Sequence, residues 1–377
     1  MKIFFLDQSG ELGGAELCLA DIAPAFQPDC LVGLLQAGPF KTLLESQAIP
    51  VTVLARDSLA VRKDSGWLAG LSSLGQLLPL IKKTAQIASG YDVIYANTPK
   101  AMIVGALASA LSRCPLVYHL HDIISLEHFS GTNRKLLVGL ANRFASLVIA
   151  NSLASQAAFV AAGGNPNKVS VVYNGFRPDR YAPMPENLLR HELGLQDKFV
   201  VGHFSRLSPW KGQHVLIEAL THCPTNVVAL LVGDALFGEA DYVALLKQQV
   251  QTLNLGDRVH FLGFRDEIPA LMQTCDVVTH TSTAPEPFGR VIVEAMLCQR
   301  VAIAAAAGGA TELIDHGKTG WLCPPNQPQK LAELILATYQ HPEQATAMAT
   351  AAKAEASATF NLAHTNQQIR SLLAQVI

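Results

Sequence analysis

The sequence predicts an α/β protein made of two doubly wound, parallel-sheet domains of Rossmann-like type. Three observations carry this. The 377 residues exceed one ordinary compact domain and suit two of about 150–200 residues each. Short apolar, β-branched runs alternate with helical periodicity from end to end. That alternation halts once, in a stretch rich in proline and charge, and then restarts.

The elements follow in order. Strands are predicted at 3–6, 31–35, 51–54, 93–96, 116–120, 147–150 and 169–173, with helical i, i+3, i+4 patterns between them, such as 15–25 and 67–87. The strand candidates read as continuous apolar runs, as strands do when crossover helices bury both faces. Residues 174–198 carry Pro178, Pro183 and Pro185 among charges and read as a linker. Strands resume at 199–204, 227–232, 259–262, 277–280 and 301–304. The predicted domains are therefore 1–180 and 181–359, with a terminal helix over 360–377 able to return to the first. Ligands of such sheets bind beyond the C-terminal ends of the strands, so the two domains are expected to face one another across a cleft.

Composition narrows the function. Half of the chain is apolar, 15% is charged, and the formal charge is −2, which argues against disorder and against nucleic-acid binding. The first 180 residues carry +3 and the rest −5, which reads either as a basic half suited to an anionic surface or, the preferred reading, as a scatter of solvated charge. Seven cysteines are dispersed without a C-x-x-C pair, as buried thiols are in a reducing compartment. The chain reaches Asp7 too early for a signal-peptide core, and its longest apolar run, 101–111, is shorter than the roughly 20 residues of a membrane span. A cytoplasmic protein is expected.

The strongest chemical signal is Glu286-Pro-Phe-Gly-Arg-Val-Ile-Val-Glu294. Pro287 and Gly289 break the chain after a strand, and 290–297 reads as a helix. Glu286 then sits at the sheet's C-terminal edge and Glu294 one turn inside the helix. The free N–H groups at such a helix start suit an anion. Spacing alone equally describes one carboxylate near a helix start and another on a solvated face. Arg206 and Lys211 lie on the loop after the first strand of the second domain, where a guanidinium fork and an ammonium can grip a diphosphate and stabilise it as it leaves. A basic loop by itself is more often a solvated one. Gly13 and Gly14 follow the first strand at a helix start and allow close backbone approach, although they miss the G-x-G-x-x-G spacing; Glu16 beside them suits the helix dipole. His119 and His121 end the 116–120 strand, and His121 is favoured as the one that meets a ligand.

In this order, Gly13-Gly14-Ala15-Glu16, His121-Asp122, Asn174-Gly175, Arg206 with Lys211, Gly263-Phe264-Arg265, Glu286 with Glu294, and Gly308-Gly309 with Glu312 resemble the motifs of glycosyltransferase family 4. The resemblance spans most of the chain and is densest over 199–340. It implies the GT-B fold and transfer, with retention, from a nucleotide sugar to a glycan, lipid-linked or small acceptor. By it, Arg206 and Lys211 hold the diphosphate, Glu294 the ribose, and Glu286 with the Phe288–Gly289 backbone the sugar hydroxyls. His121 lies by the reacting sugar, Phe264 and Arg265 border the base, and Gly13, Gly14 and Arg290 complete the donor site. Cys298-Gln-Arg-Val301 departs from the family's G-x-P-V.

No Asp-x-Asp string and no His/Cys cluster of zinc spacing occurs, so no metal or other cofactor is expected. Glu286 could serve as a nucleophile, as in retaining glycosidases; hydroxyl binding, with the departing phosphate taking the acceptor's proton, is the preferred role. A sugar-nucleotide epimerase and a non-catalytic nucleotide-sugar sensor or scaffold are the competing readings; a phosphorylase would need a longer chain. Arg62, Lys63, Lys82 and Lys83 flank an apolar helical segment with Trp67, a candidate contact with anionic membrane at its inner face. An ordinary helix packed on its own sheet has the same pattern.

Overall fold

The computed structural model describes all residues except 9, 56–70, 184–187 and 236–238, and the side chains of 71–76 and 188. The described chain divides into two units: Met1–Phe176 with Leu362–Ile377, and Arg177–Asn361.

The first unit is a seven-stranded parallel sheet of β1 (Ile3–Asp7), β2 (Cys30–Leu34), β3 (Val51–Val53), β4 (Val93–Ala96), β5 (Leu116–Leu120), β6 (Ala145–Ala150) and β7 (Val169–Val171), ordered β3-β2-β1-β4-β5-β6-β7. Ile3 is paired with Cys30 on one side and Val93 on the other. The order reverses between β1 and β4, which places the ligand crevice of such a sheet beyond Asp7 and Ala96. Strand alternation distributes the core: Phe4 and Leu6 enter one apolar layer, Ile3 and Phe5 the other.

The terminal helix Leu362–Leu373 closes that second layer with Ile369 and Leu373, both fully buried. Each such side chain contributes about 1.5–3 kcal/mol by leaving water. The Leu362 N–H donates to the Phe176 carbonyl at 2.9 Å and the Thr365 hydroxyl to the Tyr173 carbonyl at 3.1 Å. Gly175 makes this approach possible, since a Cβ there would stand 2.6 Å from the Leu362 Cα.

The second unit is a six-stranded parallel sheet of β8 (Phe199–Phe204), β9 (Val227–Val232), β10 (Val259–Gly263), β11 (Val277–His280), β12 (Val301–Ala305) and β13 (Trp321–Cys323), ordered β10-β9-β8-β11-β12-β13. All six residues of β9 are buried, which is why the run reads as unbroken Val, Ala and Leu. The order reverses between β8 and β11, and the loops leaving these two strands carry the acidic and basic residues singled out above.

The stretch 174–198, read as a linker, contains the passage from the first unit to the second at Phe176/Arg177. It contains the short helical pieces Pro178–Tyr181 and Leu188–Glu192, and Arg190 grips Asp276 with Nη1 at 3.2 Å and Nη2 at 3.1 Å. Arg190 thus binds the sheet, while Arg177, Asp179, Arg180, Glu192 and Asp197 of the same stretch are exposed. The membrane-facing segment is only partly described. Arg62, Lys63 and Trp67 lie outside the described residues, and the Lys83 ammonium donates to the carbonyls of Val53 and Leu54 at 3.0 and 3.1 Å. Lys83 is thus engaged at a strand end. Among the described residues no helix is long and apolar enough to cross a membrane.

Candidate functional site

In the second unit the 205–212 loop follows β8 and the 281–289 loop follows β11. Their approach depends on Gly212, which has φ +71°, and a Cβ there would meet the Thr281 carbonyl oxygen at 2.0 Å. The Thr281 hydroxyl lies 3.0 and 2.8 Å from the carbonyls of Lys211 and Gly212. Buried His203 stands beneath, with Nε2 at 3.2 Å from the Lys211 carbonyl and 3.0 Å from the Thr281 hydroxyl. Burial pushes its pKa down to about 3, so a neutral imidazole donates from Nε2.

Glu286 is the centre of this arrangement. Its Oε2 accepts from Lys211 Nζ at 2.7 Å and from the Ser282 hydroxyl at 3.0 Å, and lies 2.9 Å from His280 Nε2. Burial by itself would raise this carboxyl, but the Lys211 ammonium and His280 outweigh it and hold it far below the usual carboxylate range. The Lys211 ammonium also lies 4.0 Å above the Trp210 ring. Behind Glu286, the Gly309 N–H donates to its carbonyl at 2.7 Å, and Gly308 pairs with it as a short parallel bridge. The Gly308-Gly309 pair therefore backs the 286–288 backbone.

The helix Arg290–Leu297 starts at Gly289, with φ +99°. Arg290 Nη2 and Glu294 Oε1 are 3.6 Å apart, one turn along that helix. Phe288 is buried edge-on against Phe360. Arg206 pairs through Nε with Glu239 Oε2 at 3.4 Å, and the Ser208 hydroxyl donates to Glu239 Oε1 at 2.7 Å. The two cations of the predicted clamp thus hold different carboxylates, Lys211 Glu286 and Arg206 Glu239. Phe264 is 63% exposed in the turn after β10, with Arg265 paired to Glu267, two strands away from β8.

In the first unit a second polar cluster lies beyond β1 and β4. Asn97 Nδ2 donates to Asp7 Oδ2 at 2.7 Å and to the Ala15 carbonyl at 3.0 Å, and His121 Nε2 lies 3.0 Å from Asn97 Oδ1. The asparagine thereby ties His121 to the end of β1. His119 is buried instead, with Nδ1 2.7 Å from the Tyr95 hydroxyl. Gly13 caps the helix Gly14–Ile22, and the Glu16 carboxylate folds back so closely that a Cβ on Gly13 would meet it at 2.6 Å.

Burial, then the charges of Asp7 and Asp122, push the Glu16 carboxyl up to about 8. Burial pushes Asp122 up to about 6. These shifts predict opposite pH responses in the two units. Between its unfolded pKa and about 8, Glu16 binds more proton folded than unfolded, so the first unit loses stability as pH rises through that window. Glu286 is depressed, so its contribution is complete above about pH 4.5 and lost as acid protonates it. In thermal unfolding followed from about pH 2 to pH 9, Glu16→Gln is expected to flatten the slope above about pH 5. Glu286→Gln is expected to remove part of the acid limb. An unchanged profile in both variants would refute the assignment.

Sequence reasoning missed His280, Ser282, Glu239, Asp7 and Asn97. His280 is the last residue of a predicted strand, so its place at the sheet edge was available; the others had no local signal.

Comparison with known proteins gives one answer. Residues 12–180 match the family model for Glycosyltransferase Family 4, and 186–355 match that for Glycosyl transferases group 1. HepE of Anabaena, solved in complex with UDP-glucose, is 55% identical over the whole of both chains, with a TM-score of 0.93. N-acetyl-alpha-D-glucosaminyl L-malate synthase of Bacillus anthracis is 30% identical over 258 residues, covering 65% of each protein. The chain thus spans less than two thirds of that relative's length. Sucrose-phosphate synthase of Thermosynechococcus elongatus, at 20% identity and a TM-score of 0.83, shares the fold.

Proposed function

The chain belongs to the glycosyltransferases of group 1 and family 4, and from that membership we propose that it transfers a hexose, with retention, from a nucleotide sugar to a hydroxyl acceptor. The observation that carries this is Glu286, held ionised by Lys211, His280 and Ser282 at the switch point between β8 and β11. A site with a fixed carboxylate and cations at that edge suits the hydroxyls of a sugar and the diphosphate behind it.

The donor is proposed to be a UDP-sugar, UDP-glucose first, because HepE was solved with UDP-glucose. Arg206 and Lys211 take its diphosphate, which replaces the carboxylates of Glu239 and Glu286 as their counter-charge. Glu294 takes the ribose, Arg290 and the Phe288–Gly289 backbone the inner donor, and Phe264 with Arg265 the base. Glu286 then binds sugar hydroxyls, and His121, steadied by Asn97, lies beside the sugar. Gly13 and Gly14 let backbone approach it. The acceptor oxygen bonds to the anomeric carbon as its bond to phosphate breaks, and the acceptor's proton passes to the departing phosphate oxygen on the same face.

The cations of the protein supply the positive charge that a metal would otherwise bring to the diphosphate, so transfer is proposed to need none. The acceptor class is a glycan, a lipid-linked sugar or a small molecule. A screen of UDP-, GDP- and ADP-sugars is expected to show binding and slow hydrolysis of UDP-glucose, unaffected by EDTA and lost in Glu294→Ala. Products should keep the donor's anomeric configuration by NMR. Failure of every nucleotide sugar to bind would sink the proposal, and activity lost in EDTA and restored by Mg²⁺ would sink its metal independence.

A further inference from the structure

We infer that Cys18, His119 and His121 form a binding site for a soft divalent cation, Zn²⁺ in the first place, and that its occupancy inhibits the enzyme. These residues lie on the first helix, at the end of β5 and just beyond it, with Cys18 more than 100 positions from the two histidines in the chain. The structure brings the Cys18 sulfur and one ring nitrogen from each histidine within 4.8 Å of one another. Ligands at 2.0–2.3 Å from a tetrahedral ion are separated by about 3.5 Å, so small side-chain rotations complete the site. The two imidazoles already overlap, with ring centroids 3.9 Å apart.

His119 supplies an independent pointer. It is 1% exposed, its Nδ1 is occupied by the Tyr95 hydroxyl, and its buried Nε2 has no hydrogen-bond partner among the described residues. A buried ring nitrogen left so is costly unless something else meets it.

Each histidine has an outer partner that fixes its orientation, Tyr95 for His119 and Asn97 for His121 at 3.0 Å, while the Cys18 thiol is placed in the metal-free site by donating to Asn174 Oδ1 at 3.2 Å. Asn97 is in turn anchored by Asp7 at 2.7 Å. Such outer hydrogen bonds are the usual company of metal ligands. Cys18 binds as thiolate, so uptake of one Zn²⁺ releases its thiol proton to solvent and breaks its bond to Asn174. Water fills the fourth position.

Inhibition rests on the proposed place of His121 beside the donor sugar, since an imidazole held on zinc cannot meet that sugar. Binding does not rest on it. The full chain, titrated with Zn²⁺ against a chromophoric chelator, is expected to bind one tightly held ion through these three residues. With Co²⁺ it should show a thiolate-to-metal charge-transfer absorption. Cys18→Ser, which preserves size and the bond to Asn174, should keep its melting temperature, lose that band and bind Zn²⁺ at least about tenfold more weakly. It should also turn over donor normally and without zinc sensitivity, whereas the wild type is inhibited reversibly. His119→Gln should lose the ion similarly. Absence of the band, or equal zinc affinity in Cys18→Ser, overturns the site. Zinc bound through Cys18 with turnover unchanged overturns the inhibition and the placement of His121 together, while leaving transfer itself intact.

Discussion

Lys211→Ala is expected to lower kcat/KM for donor turnover by about 10²–10³-fold, the usual effect of removing one charge-stabilising donor from a preorganised site. The geometry explains why so much depends on one ammonium. Lys211 Nζ is 2.7 Å from Glu286 Oε2 and 4.0 Å above the Trp210 ring, and its backbone is fixed from two strands by Thr281 and His203. It is therefore placed before the donor arrives. If it stabilises the leaving diphosphate, kcat falls more than KM rises, because that charge grows toward the transition state.

The same substitution removes the largest influence that keeps Glu286 ionised against its burial, leaving His280 as the remaining basic partner. The variant should therefore lose activity at a higher pH than the wild type as acid is added. A rise in KM alone, with kcat unchanged, would show that Lys211 only binds donor. A collapse in melting temperature at neutral pH would point to structure instead, and Lys211→Met would separate the two by keeping the chain's packing over Trp210.

Much of this was legible in the chain, and the boundary has a physical cause. The central strands could be read because both their faces are buried, so β-branched runs mark them without any knowledge of their neighbours, whereas the short, partly exposed edge strand β13 was not predicted. Glu286 and Glu294 could be placed because Pro287 and Gly289 interrupt the chain at a strand end and a helix follows at once. What could not be read is strand order. β8 and β11 are adjacent, although 70 and more residues separate Lys211 from Thr281 and Glu286. No local period reports which loops will share an edge.

The same limit hid the partners. Asn97 and Asp7 are 90 residues apart, and Glu239 looks like any helix-flanking carboxylate until Arg206 and Ser208 are found on it. It also hid the Cys18, His119 and His121 group, which has no metal-site spacing because a helix and a strand end about 100 residues apart assemble it. Arg190, in the linker stretch 174–198, shows the same limit. Proline and charge signal exposure, yet the Arg190 charge has a buried-edge partner in Asp276 that only the fold supplies.

Gly308→Ala is expected to disable the site from behind, and Gly317→Ala is its control. Both glycines have positive φ, +64° and +81°, so an L side chain at either costs about 1–2 kcal/mol in backbone strain. Their surroundings differ. At Gly317 the nearest atom to an added Cβ is Trp321 Cζ3 at 3.8 Å, an ordinary contact. At Gly308 the added Cβ would stand 2.3 Å from the Glu286 carbonyl oxygen and 2.7 Å from its nitrogen. Backbone cannot yield there without carrying Glu286 away from Lys211, His280 and Ser282, whose hydrogen bonds to Oε2 are all between 2.7 and 3.0 Å. A displacement near 1 Å in a positioned group can cost about 100-fold in rate. Gly317→Ala should therefore unfold somewhat earlier and retain turnover. Gly308→Ala should lose more stability and about two orders of magnitude in kcat, with the loss persisting well below its melting temperature. Equal stability and equal turnover in the two variants would mean that the backing of Glu286 by the glycine pair is incidental, and that its side-chain partners alone fix it.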